Sequence, residues 1–211
     1  MLSFIFTDVE STQAKLQQCL IASVNQSFNR ITVDGDTSTN DACTLSATGA
    51  SGVDIHDCVG EFQSALDEVT QSLAHQIIKD GEGATKFVEV RVKGGESNVD
   101  CLEVAYTVAH SPLVKTALFA SDANWGRILA AVGRANIKDL SIEDINIALN
   151  DVNIIQAGEP NKGYTEAAGS AEMAKEDIVI TIEIGKSDAQ ESVWTTDFSY
   201  DYVKINAEYR T

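Results

Sequence analysis

Apolar residues return along this chain at two periods, and each period predicts an element. Alternation predicts strands. Leu2, Phe4 and Phe6 alternate with Ser3 and Ile5 across Met1–Thr7, so the chain opens on a strand. Val88, Val90 and Val92 alternate with Glu89 and Arg91 until Gly94-Gly95 breaks the pattern. Ile145, Ile147 and Leu149 alternate, and Ile178, Ile180, Ile182 and Ile184 do so most regularly. The aromatic run from Phe198 to Ile205 reads as a final strand.

Recurrence every third or fourth residue predicts helices. Leu16, Leu20, Val24 and Phe28 form one face behind a Ser11-Thr12 cap. Val59, Phe62, Leu66, Val69, Leu73 and Ile77 form a second stripe behind Asp57. Gly81 or Gly83 then supplies the positive φ of a helix end. Asn98 is the expected cap of a helix through Cys101, Val104, Ala105 and Val108. Pro112 interrupts the small-residue stretch that follows, and Asp122 is the expected cap of a helix carrying Trp125, Ile128, Leu129 and Val132. Thr165 to Lys175 reads as one more helix, and Thr44 to Gly52 as a small, flexible loop. Strands and helices intersperse without a regular strand–helix–strand repeat. The expected class is therefore α+β, with mixed sheets and packed helices. The Gly158–Gly163 turn marks a boundary between a main part, 1–157, and a C-terminal α+β part, 158–211.

Charge narrows the partners. The 211 residues carry a net charge of −17. Phosphate backbones and anionic membranes need clustered Lys and Arg, so neither nucleic acid nor a membrane surface is expected. No apolar run is long enough to span a bilayer. Cys19, Cys43, Cys58 and Cys101 are irregularly spaced, without a C-x-x-C pair. Free thiols in a reducing compartment, hence the cytoplasm, are the expectation. His56, His75 and His110 lack metal-ligand spacing, and no P-loop or dinucleotide fingerprint occurs, so neither metal nor cofactor is expected.

Three stretches are candidates for chemistry. Val33–Asp41 (VDGDTSTND) holds three Asp, one Asn and three hydroxyls in nine residues. Such a run is a capped loop or the wall of a site. As a calcium loop it fails, because Gly35 comes too early and the closing Glu is missing. Asp80-Gly81-Glu82-Gly83 sets a carboxylate between glycines, either as a solvated helix end or where backbone and ligand approach closely. In Ser121–Arg127, the plain reading is a helix start with Trp125 on the core and Arg127 paired to a carboxylate. The residues alone lead to a soluble acidic α+β protein, and its apolar opening strand suits a piece cut from a longer precursor.

Five stretches together resemble one family: MLSFIFTD, VDGDTSTND, DGEGATK, SPLVKTALFASDANWGRI and DFSYDYVKINAEYRT. They look like the β chain of ornithine acetyltransferase, the bifunctional glutamate N-acetyltransferase of arginine biosynthesis. The resemblance runs from the first residue to the last. It implies a precursor that cuts itself before a threonine, which then serves as an N-terminal nucleophile. That threonine takes acetyl from N-acetylornithine and passes it to glutamate; whether acetyl-CoA also donates is left open. Glu82 looks like the family's substrate-contacting Glu, and Asn206 and Thr211 match its C-terminal substrate-binding pair. The C-terminal part would then bring its tail to the site, and the Asp34–Asp41 loop would shape it. The nucleophilic Thr is expected just before Met1, outside this sequence, so the catalytic residue is not among these 211. Thr7 lies too far downstream to replace it. The partner would be an α chain of the same precursor, in an α2β2 heterotetramer. Two other classes compete: a non-catalytic acidic domain that binds a cationic amino acid through Glu82, and a calcium-binding structural domain.

Overall fold

A computed structural model describes residues 1–209. The chain divides into two units. The first comprises Met1–Ile31 and Asp36–Gln76; the second comprises Thr32–Gly35 and the chain from Ile77 onward. The expected boundary at 157/158 falls inside the second unit, in a turn where Ala157 and Gly158 both have positive φ.

The first unit pairs two strands, β1 (Leu2–Thr7) and β2 (Ala42–Ala47), in parallel, with Leu2 opposite Ala42 and Thr7 opposite Ala47. β2 overlaps the first half of the Thr44–Gly52 stretch expected to be a flexible loop. Thr, Ser and Ala carry little apolar signal, and the pairing with β1 supplies what propensity does not. Helix α1 (Gln13–Gln26) starts at Thr12, whose hydroxyl accepts from Lys15 N at 3.3 Å. Helix α2 (Val59–Lys79) begins two residues after Asp57, which instead closes a short 3₁₀ turn capped by Asp54. The stripe expected on α2 holds as far as Leu66 and is displaced by one residue beyond it. Leu66, Thr70, Ala74 and Ile78 are buried, whereas Val69, Leu73 and Ile77 are exposed. Cys19, Ile55 and Leu66 form the core, with Ile5, Leu16, Leu45 and Phe62 packed against them. Ile5 thus faces inward, and Leu2, Phe4 and Phe6 face outward at 68%, 64% and 73% exposure. Gln63 Nε2 donates to Ser23 Oγ and Asp67 Oδ1, both at 2.8 Å, tying α1 to α2.

The second unit is built on a six-stranded mixed sheet. Its strands are β3 (Phe87–Gly95), β4 (Asn146–Leu149), β5 (Val152–Gln156), β6 (Glu159–Pro160), β7 (Asp177–Glu183) and β8 (Ala189–Thr195), in the spatial order β6-β5-β4-β7-β3-β8. In this sheet only β3 and β7 run parallel; the other neighbours are antiparallel. The α+β class therefore holds. β3 takes in both glycines and ends at Gly95, with an irregularity in its pairing to β8 between Lys93 and Gly95. Gly94 needs its missing side chain: φ is +85°, and a Cβ would stand 2.3 Å from the Gly185 carbonyl oxygen.

Alternation sorts the sheet's two faces. Val88, Val90, Val92, Ile147, Leu149, Ile178, Ile180, Ile182 and Val193 are buried in one continuous core. Helices α3 (Asn98–Ala109) and α5 (Trp125–Gly133) add Val104, Ala105, Val108, Ile128, Ala131 and Val132 to it. Several intervening positions are charged and partner one another. Arg91 forks onto Glu89 at 2.9 and 3.0 Å, and Lys93 meets Glu183 at 2.6 Å.

Two helix starts in this unit lie one or two residues from their expected caps. Ser97 rather than Asn98 caps α3, accepting from Asp100 N. Asn124 rather than Asp122 caps α5, accepting from Arg127 N. Pro112 does not interrupt; it opens helix α4 (Pro112–Phe119) behind the Ser111 cap, where its missing N–H costs nothing. Helix α6 (Glu166–Met173) starts at Thr165 as expected. The expected last strand is instead helix α7 (Tyr200–Glu208), capped by Ser199. No helix among the described residues is long and apolar enough to cross a membrane.

Candidate active site

The site grows from a loop and a helix of the second unit. After α2, residues Asp80–Lys86 form a loop that leads into β3. Gly83 takes φ +68°, as expected of Gly81 or Gly83. A Cβ there would lie 2.5 Å from Tyr202 N and 2.6 Å from Ser199 Oγ. Only glycine lets the loop approach the first turn of α7 so closely. Ser199 Oγ accepts from Tyr202 N at 3.1 Å and starts the helix. One turn later stands Asn206, whose Nδ2 donates to Glu82 Oε2 at 3.0 Å and to the Tyr202 carbonyl at 3.0 Å. Two residues 124 positions apart thus meet, and both side chains are exposed. A solvent-facing carboxylate beside a primary amide suits a cationic ligand: the carboxylate gives charge-assisted bonds and the amide either donates or accepts. Thr211, the third expected substrate contact, lies outside the described residues.

A buried polar assembly supports this pair. The carboxylate of Asp197, 2% exposed, accepts from Thr85 N at 2.8 Å, Lys86 N at 3.0 Å and Thr85 Oγ1 at 2.7 Å. Thr196 Oγ1 lies 3.0 Å from the same carboxylate and 2.7 Å from the Lys86 carbonyl. Lys115 of α4 is fully buried. Its Nζ donates to Thr195 Oγ1 at 2.8 Å and to the Thr196 carbonyl, and stands 4.7 Å from the Phe198 ring centroid. Burial pushes the amine down to about 7, against the opposing pull of the Asp197 and Asp34 carboxylates. Sequence reading missed both Lys115 and Asp197. The available signal was a single Lys inside the apolar run Pro-Leu-Val-Lys-Thr-Ala-Leu-Phe.

The polar loop is divided between the units. Thr32–Gly35 belongs to the second. Thr32 N donates to the Trp194 carbonyl at 3.0 Å, and Thr32 Oγ1 lies 3.1 Å from His110 Nε2. Burial lowers the His110 pKa, Lys115 adds to the effect and Asp34 opposes it. Asp34 Oδ2 accepts from the Tyr202 hydroxyl at 2.9 Å, and the Tyr202 ring stacks on Phe198 with centroids 4.8 Å apart.

Two other regions show different chemistry. Among the described residues Arg127 does not pair with a carboxylate, contrary to expectation. Its Nη1 donates to the Leu113 carbonyl at 2.9 Å and to Thr116 Oγ1 at 3.2 Å, joining α5 to α4. Trp125 packs against the core as expected. A cleft of about 310 Å³ on the polar sheet face is lined by Asn146, Asn153, Gln156, Asn161 and Glu183. Its one carboxylate already holds Lys93 and Asn146, so it offers amides but no uncommitted charge.

Comparison with known proteins agrees in sequence and in fold. The sequence matches the ArgJ family over residues 1–211. The arginine biosynthesis bifunctional protein ArgJ of Pseudomonas fluorescens is 54% identical over 216 residues, covering 100% of this chain and 53% of that relative. The same-named protein of Pseudomonas syringae pv. tomato is 52% identical with the same coverage. The chain thus spans about half the length of these relatives. The crystal structure of arginine biosynthesis bifunctional protein argJ from Bacillus halodurans is similar, with a TM-score of 0.93 and 39% identity over 99% of this chain and 100% of that one. By full-length sequence match and by fold, the chain belongs to the ArgJ family.

Proposed function

We propose that this chain is one half of a cytoplasmic acyltransferase of arginine biosynthesis that moves acetyl from N-acetylornithine to glutamate. In this reading a precursor cleaves itself, and the threonine freed ahead of Met1 is the nucleophile. Its hydroxyl attacks the acetyl carbonyl, ornithine leaves with the proton, and an acetyl-threonine ester remains. The amine of glutamate then attacks the ester, giving N-acetylglutamate and restoring the hydroxyl. Glu82 holds the cationic side-chain amine of ornithine, and Asn206, with Thr211, completes the binding group.

The observation that carries the reading is the meeting of Glu82 and Asn206 on adjoining backbone in a chain of the ArgJ family. An α chain of the same precursor, in an α2β2 assembly, is supported by two further facts. The relatives are about twice as long. In addition, β1–β2 is a lone parallel pair with Leu2, Phe4 and Phe6 on its outer face, and parallel strands normally have both faces covered. The four cysteines are free, as a reducing compartment requires.

The test is acetyl transfer from N-acetylornithine to glutamate by the assembled two-chain protein, before and after Glu82→Gln. The substitution is expected to lower kcat/KM for N-acetylornithine at least about tenfold, the worth of one charge-assisted contact. Saturable ornithine binding without acetyl exchange would replace the enzyme by a cationic-amino-acid binding domain.

A further inference from the structure

We propose that Asp197 is a positioning residue for Glu82: its buried carboxylate fixes the loop that presents Glu82 and Asn206 to the substrate's amine. The inference rests on the reading of Glu82 given above. It starts from a problem of flexibility. Glu82 is exposed and stands between two glycines, so left alone its backbone would sample many conformations. A carboxylate placed so loosely would bind an amine only after being ordered, at a cost in affinity.

The structure removes that freedom from within. Asp197 takes the backbone N–H of Thr85 and of Lys86 on one oxygen and the Thr85 hydroxyl on the other. Both residues lie within four positions of Glu82. Asp197 is itself held by its neighbours: Lys115 Nζ grips the carbonyl just before it, and Phe198 N, just after it, donates to the Lys115 carbonyl at 3.1 Å. The next residue, Ser199, caps the helix that carries Asn206. One turn, Thr195–Ser199, therefore sets both members of the exposed pair. With Asp197 at 2% exposure and Lys115 fully buried, neither touches a substrate. Their effect on the reaction passes through Glu82 and Asn206.

The experiment is steady-state kinetics on the assembled two-chain protein carrying Asp197→Asn, Glu82→Gln or both, with hydrogen exchange on the 80–86 segment. Asparagine keeps the shape and one acceptor oxygen but removes the charge, which weakens the bonds from the Thr85 and Lys86 N–H groups. Asp197→Asn is expected to raise KM for N-acetylornithine about tenfold, with kcat within about twofold, as loss of a binding contact does. In the Glu82→Gln background it should add less than about twofold, because coupled residues are not additive. The 80–86 amides should exchange faster while β3 and β7 stay protected. A general loss of stability would instead lower kcat and act additively with Glu82→Gln. Thr85→Val, which removes only the hydroxyl contact, gives a second reading if Asp197→Asn fails to assemble, with KM expected to rise about threefold. Unchanged KM in both variants, or additivity with Glu82→Gln, overturns the proposal and leaves the role of Glu82 standing. A Glu82→Gln enzyme with unchanged KM overturns that role, and the positioning proposal with it.

Discussion

The two sheets of this chain share a pattern and differ in how it is satisfied. In β7, Ile178, Ile180 and Ile182 alternate with half-buried residues, and every isoleucine is sealed under helices of its own unit. In β1, Leu2, Phe4 and Phe6 alternate just as regularly, yet all three face out of the unit. Alternation states that one face of a strand wants cover; it does not state which part of a protein supplies it. The second unit supplies its own cover. The first leaves an apolar face that, in the proposed two-chain enzyme, the other half of the precursor covers.

Paired substitutions put the largest numbers on that contrast. Ile180→Ala empties space in a closed core and is expected to cost about 2–5 kcal/mol. Phe4→Ala is expected to cost under about 0.5 kcal/mol within this chain, the norm for an exposed site. The same Phe4→Ala should weaken association with the partner chain by about 2 kcal/mol, as loss of a buried aromatic anchor does. Chemical denaturation reads the first pair and subunit dissociation reads the third. Equal costs for Ile180 and Phe4 within the isolated chain would break the contrast.

A charge buried in the second unit sharpens it next. The amine of Lys115 is pushed down to about 7 in the fold, while an unfolded lysine titrates near 10.5. Between those values the unfolded chain holds more protons, so stability rises with pH there, by at most about 1.4 kcal/mol per pH unit. The penalty is fully present below about 7 and gone above 10.5. Asp197, Asp34 and His110 face the same group and modulate the profile. Lys115→Met removes the titration. Thermal unfolding of both proteins from about pH 7 to 10 should show the wild type gaining on the variant, and parallel profiles would refute the buried charge.

The same contrast explains what was legible in the sequence. Strands β3, β4 and β7 were readable because their cover is local and their alternation unbroken. Strand β2 was not, because Thr, Ser and Ala say little without the partner strand. Helix α7 was mistaken for a strand because Phe, Tyr and Val dominate Phe198–Val203, while the decisive facts were the Ser199 hydroxyl and the Tyr202–Asn206 spacing of one turn. Lys115 escaped notice because apolar periodicity gives a lysine no weight. Glu82 was marked by its flanking glycines and then by family resemblance, and Asn206 by resemblance alone; nothing in composition or spacing joins positions so distant in sequence. The fold shows that they touch.

The smallest expected effect belongs to the polar loop. Asp34 meets the Tyr202 hydroxyl at 2.9 Å in an exposed position, where water competes for both partners. The Tyr202 ring is already held by its stack on Phe198, and its backbone by the Ser199 cap. Tyr202→Phe keeps the stack and deletes only the hydroxyl, so the expected loss is about 0.5–1 kcal/mol of stability. KM for N-acetylornithine should rise no more than about threefold, since Asn206 still hangs from the same helix turn. Asp34→Asn should behave alike, and the double variant should add almost nothing, because the two singles remove one bond. Full additivity would show that Asp34 acts through something other than Tyr202. A rise as large as that of Asp197→Asn would mean that α7 is held from the exposed loop rather than from the buried turn.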